Sequence, residues 1–281
     1  MILYFFYKNF VFTIPQFVFS FWCAFSGQTI YDAYYITFYN ILFTSFPLVA
    51  RALLDTDVNH IFDQKIKVSE LFHMLYQVGQ HNRIFNLRKL IVWFSFGLFH
   101  GLTVFLIPLY VSYKDVITFN GYTEDLWFVS VTSFTSIIII VNMRLFLFQK
   151  YHTLANFLFL FICSFGLYFA YIWISNIIPD DVINLAIVLF SSPIFYLTVL
   201  LTSTFTFIID YFERAYNYLI EAGSNEFCEV WATLPPEEVN FDENQKVLEK
   251  IYLEERLTYE QRNLDLNLQN SEQRDNPFIR N

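Results

Sequence analysis

Lys8, Asn9, Gln16 and Asn40 stand among phenylalanines and tyrosines in the opening stretch YFFYKNFVFTIPQFVFSFWCAFSGQTIYDAYYITFYNILFTSFP, Tyr4 to Pro47. They bring together an ammonium group, which only donates hydrogen bonds, and three amides, which both donate and accept. Inside hydrocarbon such groups are expensive, and by default they face protein or a water-filled path. Their chemistry is that of exchanging water for fixed donors and acceptors around a polar group. It is not that of bond breaking, and no metal-binding set accompanies it: Cys23, Cys163 and Cys228 lack any Cys/His spacing suited to zinc.

On helical geometry these residues fall into two stripes. From Asn9, the residues Thr13, Gln16 and Ser20 follow on one face with Lys8 at its border, and Thr37, Asn40, Thr44, Pro47 and Arg51 repeat the pattern downstream. Two such stripes on consecutive antiparallel helices can face each other across one cleft. Pro15 and Pro47 cannot donate to the carbonyls of Val11 and Phe43, which then need another partner. A polar ligand or water would serve. The same pattern also suits ordinary helix–helix contact, and Lys8 can equally snorkel to a headgroup layer. The candidate binding residues are Lys8, Asn9, Thr13, Gln16, Asn40 and Thr44. No residue of the chain is a candidate for catalysis or for metal binding.

The elements that must position these residues are membrane helices. Of 281 residues 56% are hydrophobic and only 15% charged, which excludes a typical soluble domain. Six runs, near 2–25, 33–54, 90–111, 126–148, 153–174 and 184–209, are long enough to cross about 30 Å of hydrocarbon. The expected fold is all-α, a polytopic bundle of six transmembrane helices with a cytosolic C-terminal tail, divided as 1–209 and 210–281. Lys65, Lys67, Arg83, Arg88 and Lys89 fill the long loop after the second run, whereas the turns at 26–32 and 175–183 hold no Lys or Arg. Lys150, with Arg144 close by, follows the fourth run and only Lys114 the third. By the positive-inside rule both termini face the cytosol.

The net charge of −9 belongs to the tail, with 16 acidic and 7 basic residues from Asp210 onward against 10 of each before it. This argues for a solvated appendage and against nucleic acid. The start is too long and aromatic for a secretory signal. His100, between Gly97 and Gly101, reads as a histidine satisfied between packed helices, and Arg144 as a side chain that snorkels to the interface. A kink is expected at Ser191, Ser192 and Pro193. The segment from Asp210 to Gly223 is amphipathic enough to continue the last span, and 243–264 reads as a charged helix.

The words YFFYKNFVFTIPQF and FSGQTIYDAYYITFYNILFTSFP, followed by LLDTDV, LYQVGQHNRIFN, FGLFHG, PLY and VNMRL, resemble the fifth and later membrane helices of the P4-type ATPases, the phospholipid flippases. The likeness covers roughly residues 1 to 210. It implies ATP-driven movement of a phospholipid from the exoplasmic to the cytosolic leaflet, with Lys8 and Asn9 on the lipid path and Asn40 recognising the headgroup. It also implies an accessory two-span glycoprotein subunit. The chain carries no Asp-Lys-Thr-Gly-Thr phosphorylation motif, no Thr-Gly-Glu motif and no Walker-type loop. The resemblance therefore implies a fragment that binds no cofactor itself, with ATP and magnesium belonging to the missing N-terminal part of the same ATPase. A stand-alone six-span carrier or channel and a non-transporting membrane interaction protein are the alternative readings.

Overall fold

The computed structural model describes residues 1–55, 87–112, 126–149, 152–175 and 185–220, with side chains up to 216. Lys65, Lys67 and Arg83 of the loop after the second span, the loops holding Lys114 and Lys150, and the tail beyond Ile220 with its expected helix over 243–264 lie outside the described residues, whereas Arg88 and Lys89 fall in the first turn of the third span's helix. Among the described residues there is no strand. Six helical segments are long and apolar enough to cross a membrane: Ile2–Trp22, Ala33–Leu54, Leu87–Ser112, Leu126–Leu147, Leu154–Ser175 and Pro193–Tyr216.

The first span is one helix, α1 (Ile2–Trp22). Ala24, Phe25 and Gly27 turn the chain with positive φ, and the Asp32 carboxylate accepts from the Tyr34 amide to start the next helix. The second span is interrupted: α2 (Ala33–Phe38) widens into a π-turn (Tyr39–Phe43) before α3 (Ser45–Leu54). The third and fourth spans are continuous, α4 (Leu87–Ser112) and α5 (Leu126–Leu147). In the fifth, α6 (Leu154–Leu158) passes through a second π-segment (Phe159–Gly166) into α7 (Leu167–Ser175). A short α8 (Leu185–Ser191) then breaks at the expected kink, and α9 begins at Pro193, where a missing amide costs nothing, and runs to Ile220.

Helix α5 is the axis of the bundle, with 78% of its apolar window buried against 22–44% for the other spans. Small hydroxyl residues let neighbouring helices approach closely without leaving polar atoms bare. Thr132, Thr135 and Ser136 return their hydroxyls to the carbonyls of Phe128, Val131 and Thr132. Other hydroxyl pairs bind outward: Tyr31 with Ser133 at 3.1 Å, Tyr168 with Thr135 at 2.6 Å, and Thr202 with Ser136 at 3.0 Å. Phe134, wholly buried, makes edge contacts with the rings of Phe12, Tyr31, Tyr35, Tyr39 and Phe43. The outside is apolar, with Phe17, Leu53 and Tyr110 more than half exposed, as a lipid-facing surface requires.

Helices α1 and α4 pack through two glycines. A Cβ added at Gly101 would lie 2.6 Å from the Cβ of Ile14, an atom fixed to the helix backbone. At Gly97 the obstacle, at 2.9 Å, is the ring edge of Phe10, which can rotate. Gly101→Ala is therefore expected to lower the unfolding midpoint in detergent clearly more than Gly97→Ala, within the roughly 1–3 kcal/mol typical of overpacking. Equal effects would show that α1 and α4 are not held at this distance.

Candidate functional site

The side chain of Lys8 turns inward, and the residue is 1% exposed. Its Nζ donates to Thr44 Oγ1 at 2.9 Å, Thr44 Oγ1 donates to the Tyr39 carbonyl at 2.8 Å, and the Tyr39 hydroxyl donates back to the Lys8 carbonyl at 2.9 Å. These three bonds close a ring between the first and second spans. Phe12 stacks on Tyr39 with ring centres 4.4 Å apart, and Nζ lies 5.3 Å from the ring centre of Phe5. Among the described residues no carboxylate reaches Lys8. A full positive charge thus rests against a neutral hydroxyl, with donor capacity to spare.

The π-turn is what makes this ring possible. Pro47 removes the donor for the Phe43 carbonyl, and the widened turn lets the Thr44 amide bond to the Tyr39 carbonyl at 3.2 Å. The Phe43 carbonyl, expected to await a ligand or water, is instead taken by protein. Ser164 Oγ donates to it, and Asn142 Nδ2 donates to both Ser164 Oγ at 2.7 Å and, more weakly, the carbonyl at 3.5 Å. The two π-segments therefore meet at one carbonyl, which sequence spacing within a single helix could not reveal.

The remaining candidates are placed differently. Thr13 and Asn40 are exposed, and Asn9 and Gln16 are partly so. Thr13 returns its hydroxyl to the Asn9 carbonyl, Gln16 Nε2 donates to Phe12 O at 3.3 Å, and Ser45 donates to the Asn40 carbonyl. Among the six candidates only Lys8 and Thr44 are joined side chain to side chain, and theirs is the one bond among them that crosses between the two spans. The stripes do not close on each other within this chain, and the side-chain amides of Asn9 and Asn40 lie toward its exterior.

A second polar cluster escaped sequence reasoning. Arg144, expected to snorkel, is 1% exposed, because α9 continues past Ile209 and brings two acids to it. Its guanidinium donates to Asp210 and, at 2.8 Å, to Glu213 Oε2. The rings of Tyr7 and Trp93 lie 4.6 Å from the guanidinium carbon, with Phe96 at 4.8 Å. His100 is buried between helices as expected, with Nδ1 2.6 Å from the Tyr7 hydroxyl. The compact unit holding the spans runs to Arg214, and the helix continues past Ile209 as the amphipathic pattern from Asp210 predicts. The available signal was the pair Asp210 and Glu213, three apart on one face of a helix that had no reason to stop.

The family model described as "Phospholipid-translocating P-type ATPase C-terminal" matches residues 1–222. The probable phospholipid-transporting ATPase IM of Homo sapiens is 39% identical over 168 residues, covering 59% of this chain and 13% of that protein. The probable phospholipid-transporting ATPase 4 of Arabidopsis thaliana is 29% identical over 217 residues, 75% of this chain and 17% of the relative. For the phospholipid-transporting ATPase IC of Xenopus tropicalis the identity is 38%, over 54% of this chain and 12% of the relative. The chain thus spans a small fraction of the length of these relatives. With the match running from the Lys8 ring through all six spans to the end of α9, the chain belongs to the phospholipid-translocating P-type ATPases, as their C-terminal membrane region.

Proposed function

We propose that this chain is the membrane half of an ATP-driven phospholipid flippase and forms part of the path from the exoplasmic to the cytosolic leaflet. The observation that carries the reading is the buried Lys8 ammonium, held by neutral Thr44 and by no carboxylate among the described residues. A lone buried cation is costly unless an anion or several acceptors meet it. A phosphodiester supplies both. Asn9, Thr13 and Asn40, on the outer side of the same hairpin, offer amides and a hydroxyl to the rest of a headgroup, while the acyl tails stay against Phe17, Phe21 and Ile41.

ATP and magnesium belong, in this proposal, to the phosphorylation and nucleotide-binding parts of the whole enzyme. An accessory two-span glycoprotein subunit would bind the exoplasmic side, and both ends of the chain would lie in the cytosol, as the basic loops suggest. Thr44 serves Lys8 as a neutral stand-in that an arriving phosphate oxygen can replace. Tyr39, hydrogen-bonded to the Lys8 carbonyl and stacked on Phe12, keeps the first two spans in register while this exchange takes place.

In a full-length transporter carrying this region, Asn40→Ala is expected to change which headgroup stimulates ATP hydrolysis. A hydrogen bond to a charged partner is worth about 1.5–3 kcal/mol, roughly tenfold or more in preference. An unchanged lipid preference would remove Asn40 from the site. Lys8→Ala should reduce lipid transport well beyond any loss of folded protein, whereas matched losses of both would make Lys8 a packing residue. The purified chain by itself is expected to hydrolyse no ATP, and measurable turnover would place nucleotide chemistry within it.

A further inference from the structure

Two spans leave α-helical geometry, and they do so where they touch. The π-turn of the second span (Tyr39–Phe43) and the π-segment of the fifth (Phe159–Gly166) are joined through Ser164, whose hydroxyl donates to the Phe43 carbonyl. Other hydroxyls in the bundle behave differently. Thr132, Ser136, Ser203 and Thr204 return theirs to a carbonyl one turn back in their own helix. Ser164 gives its only O–H to another span, and Asn142 of α5 steadies it with Nδ2 at 2.7 Å. That asparagine is buried, and its Oδ1 meets no donor among the described residues. Where packing alone was needed, an apolar pair would serve without a bare buried oxygen. The bracket on Phe43 therefore does something that packing does not require.

What it holds is the wide turn. In a regular α-helix the Thr44 amide would bond to the Asn40 carbonyl; here it bonds to Tyr39, one residue further back. Asn40 stands exposed on the outside of that turn, and Thr44, which accepts from the Lys8 ammonium, is buried on its inside. The width of the turn thus sets how the amide and the ammonium are placed relative to each other. We propose that Ser164, oriented by Asn142, is a positioning residue for phospholipid binding: by holding the Phe43 carbonyl it keeps the turn wide and fixes the spacing of Lys8 and Asn40. This rests on the flippase reading, in which those two groups meet one headgroup. Buried in the bundle, Ser164 acts through Phe43 and Thr44 alone. The fifth span enters headgroup recognition through a single backbone atom.

The test uses a full-length transporter carrying this region and reads two quantities, the phospholipid concentration that half-maximally stimulates ATP hydrolysis and the unfolding midpoint in detergent. Ser164→Ala leaves the Phe43 carbonyl without its main donor. It is expected to lower the midpoint and to raise the lipid requirement roughly fivefold, the worth of one neutral hydrogen bond. Adding Pro47→Ala returns the amide that proline lacks, so the carbonyl is served within its own helix and the turn can close to α geometry. In the double variant the midpoint should recover while the lipid requirement stays raised. Recovery of both would make Ser164 a structural residue only and overturn the proposal, as would a lipid requirement that Ser164→Ala does not move. Should the double variant fail to fold, Ser164→Thr decides, since it keeps the hydroxyl: a wild-type lipid requirement supports the proposal, and one as high as that of Ser164→Ala refutes it. Lys8→Ala is the control. A transporter whose lipid response changes with Lys8→Ala but not with Ser164→Ala keeps the flippase reading and loses this inference; one that changes with neither loses both.

Discussion

The fold of the second span depends on what happens to one carbonyl, that of Phe43. Pro47 strips it of its helical donor, and a bare carbonyl in a bundle without water costs several times what a hydrogen bond contributes in water. Ser164 and Asn142 supply the missing donors from the fifth and fourth spans, so three helices are tied at one atom. The consequence runs back toward the first span. With the backbone held in a wide turn, the Tyr39 carbonyl accepts from both the amide and the hydroxyl of Thr44. Thr44 is thereby fixed where the Lys8 ammonium can reach it, and a proline determines where a lysine rests.

Two cations sit in the bundle under opposite conditions. Arg144 has a surplus of negative charge, two carboxyl groups and several aromatic faces, and a planar guanidinium that serves all of them at once. Lys8 has one neutral acceptor and stacked rings beside it. A compact ammonium is more strongly hydrated than a guanidinium, so it is the harder of the two to leave without a counter-ion. The bundle thus meets the needs of one cation from within and leaves those of the other open, and the open one is the cation that borders Asn9.

Much of this organisation was legible in the sequence. The spans were legible because apolar length is a local property, and the structure moves their ends by only a few residues up to the sixth, where the helix continues. The break before Pro193 and the burial of His100 follow from residue type. Arg144 was not legible, because its fate turns on Asp210 and Glu213, two spans away, and a count of tail charges cannot say which of them fold back into the bundle. The Phe43 carbonyl was half legible: Pro47 announced a missing donor, while the identity of the donor lay in the distance between helices. The polar stripes had the right period, but period fixes only which residues share a face. It does not say whether that face turns to a neighbour, as at Thr44, or away from the bundle, as at Asn40.

That last distinction bears on how the region would work in a transporter. Exposed phenylalanines, leucines and tyrosines are at ease against acyl chains, and they recur on the outer side of the described helices. Asn9, Thr13 and Asn40 are not, since a side-chain amide in hydrocarbon lacks both its donors and its acceptor. Hydroxyls can repair themselves by bonding to the carbonyl one turn back, as Thr13 does, but an asparagine is less well served by its own helix. The face that carries the two amides is therefore the part of the surface that lipid tails solvate worst. In the proposed flippase, that deficit favours a headgroup, or another polar segment of the same enzyme, over the tails of the surrounding bilayer, next to the cation whose needs the bundle leaves unmet.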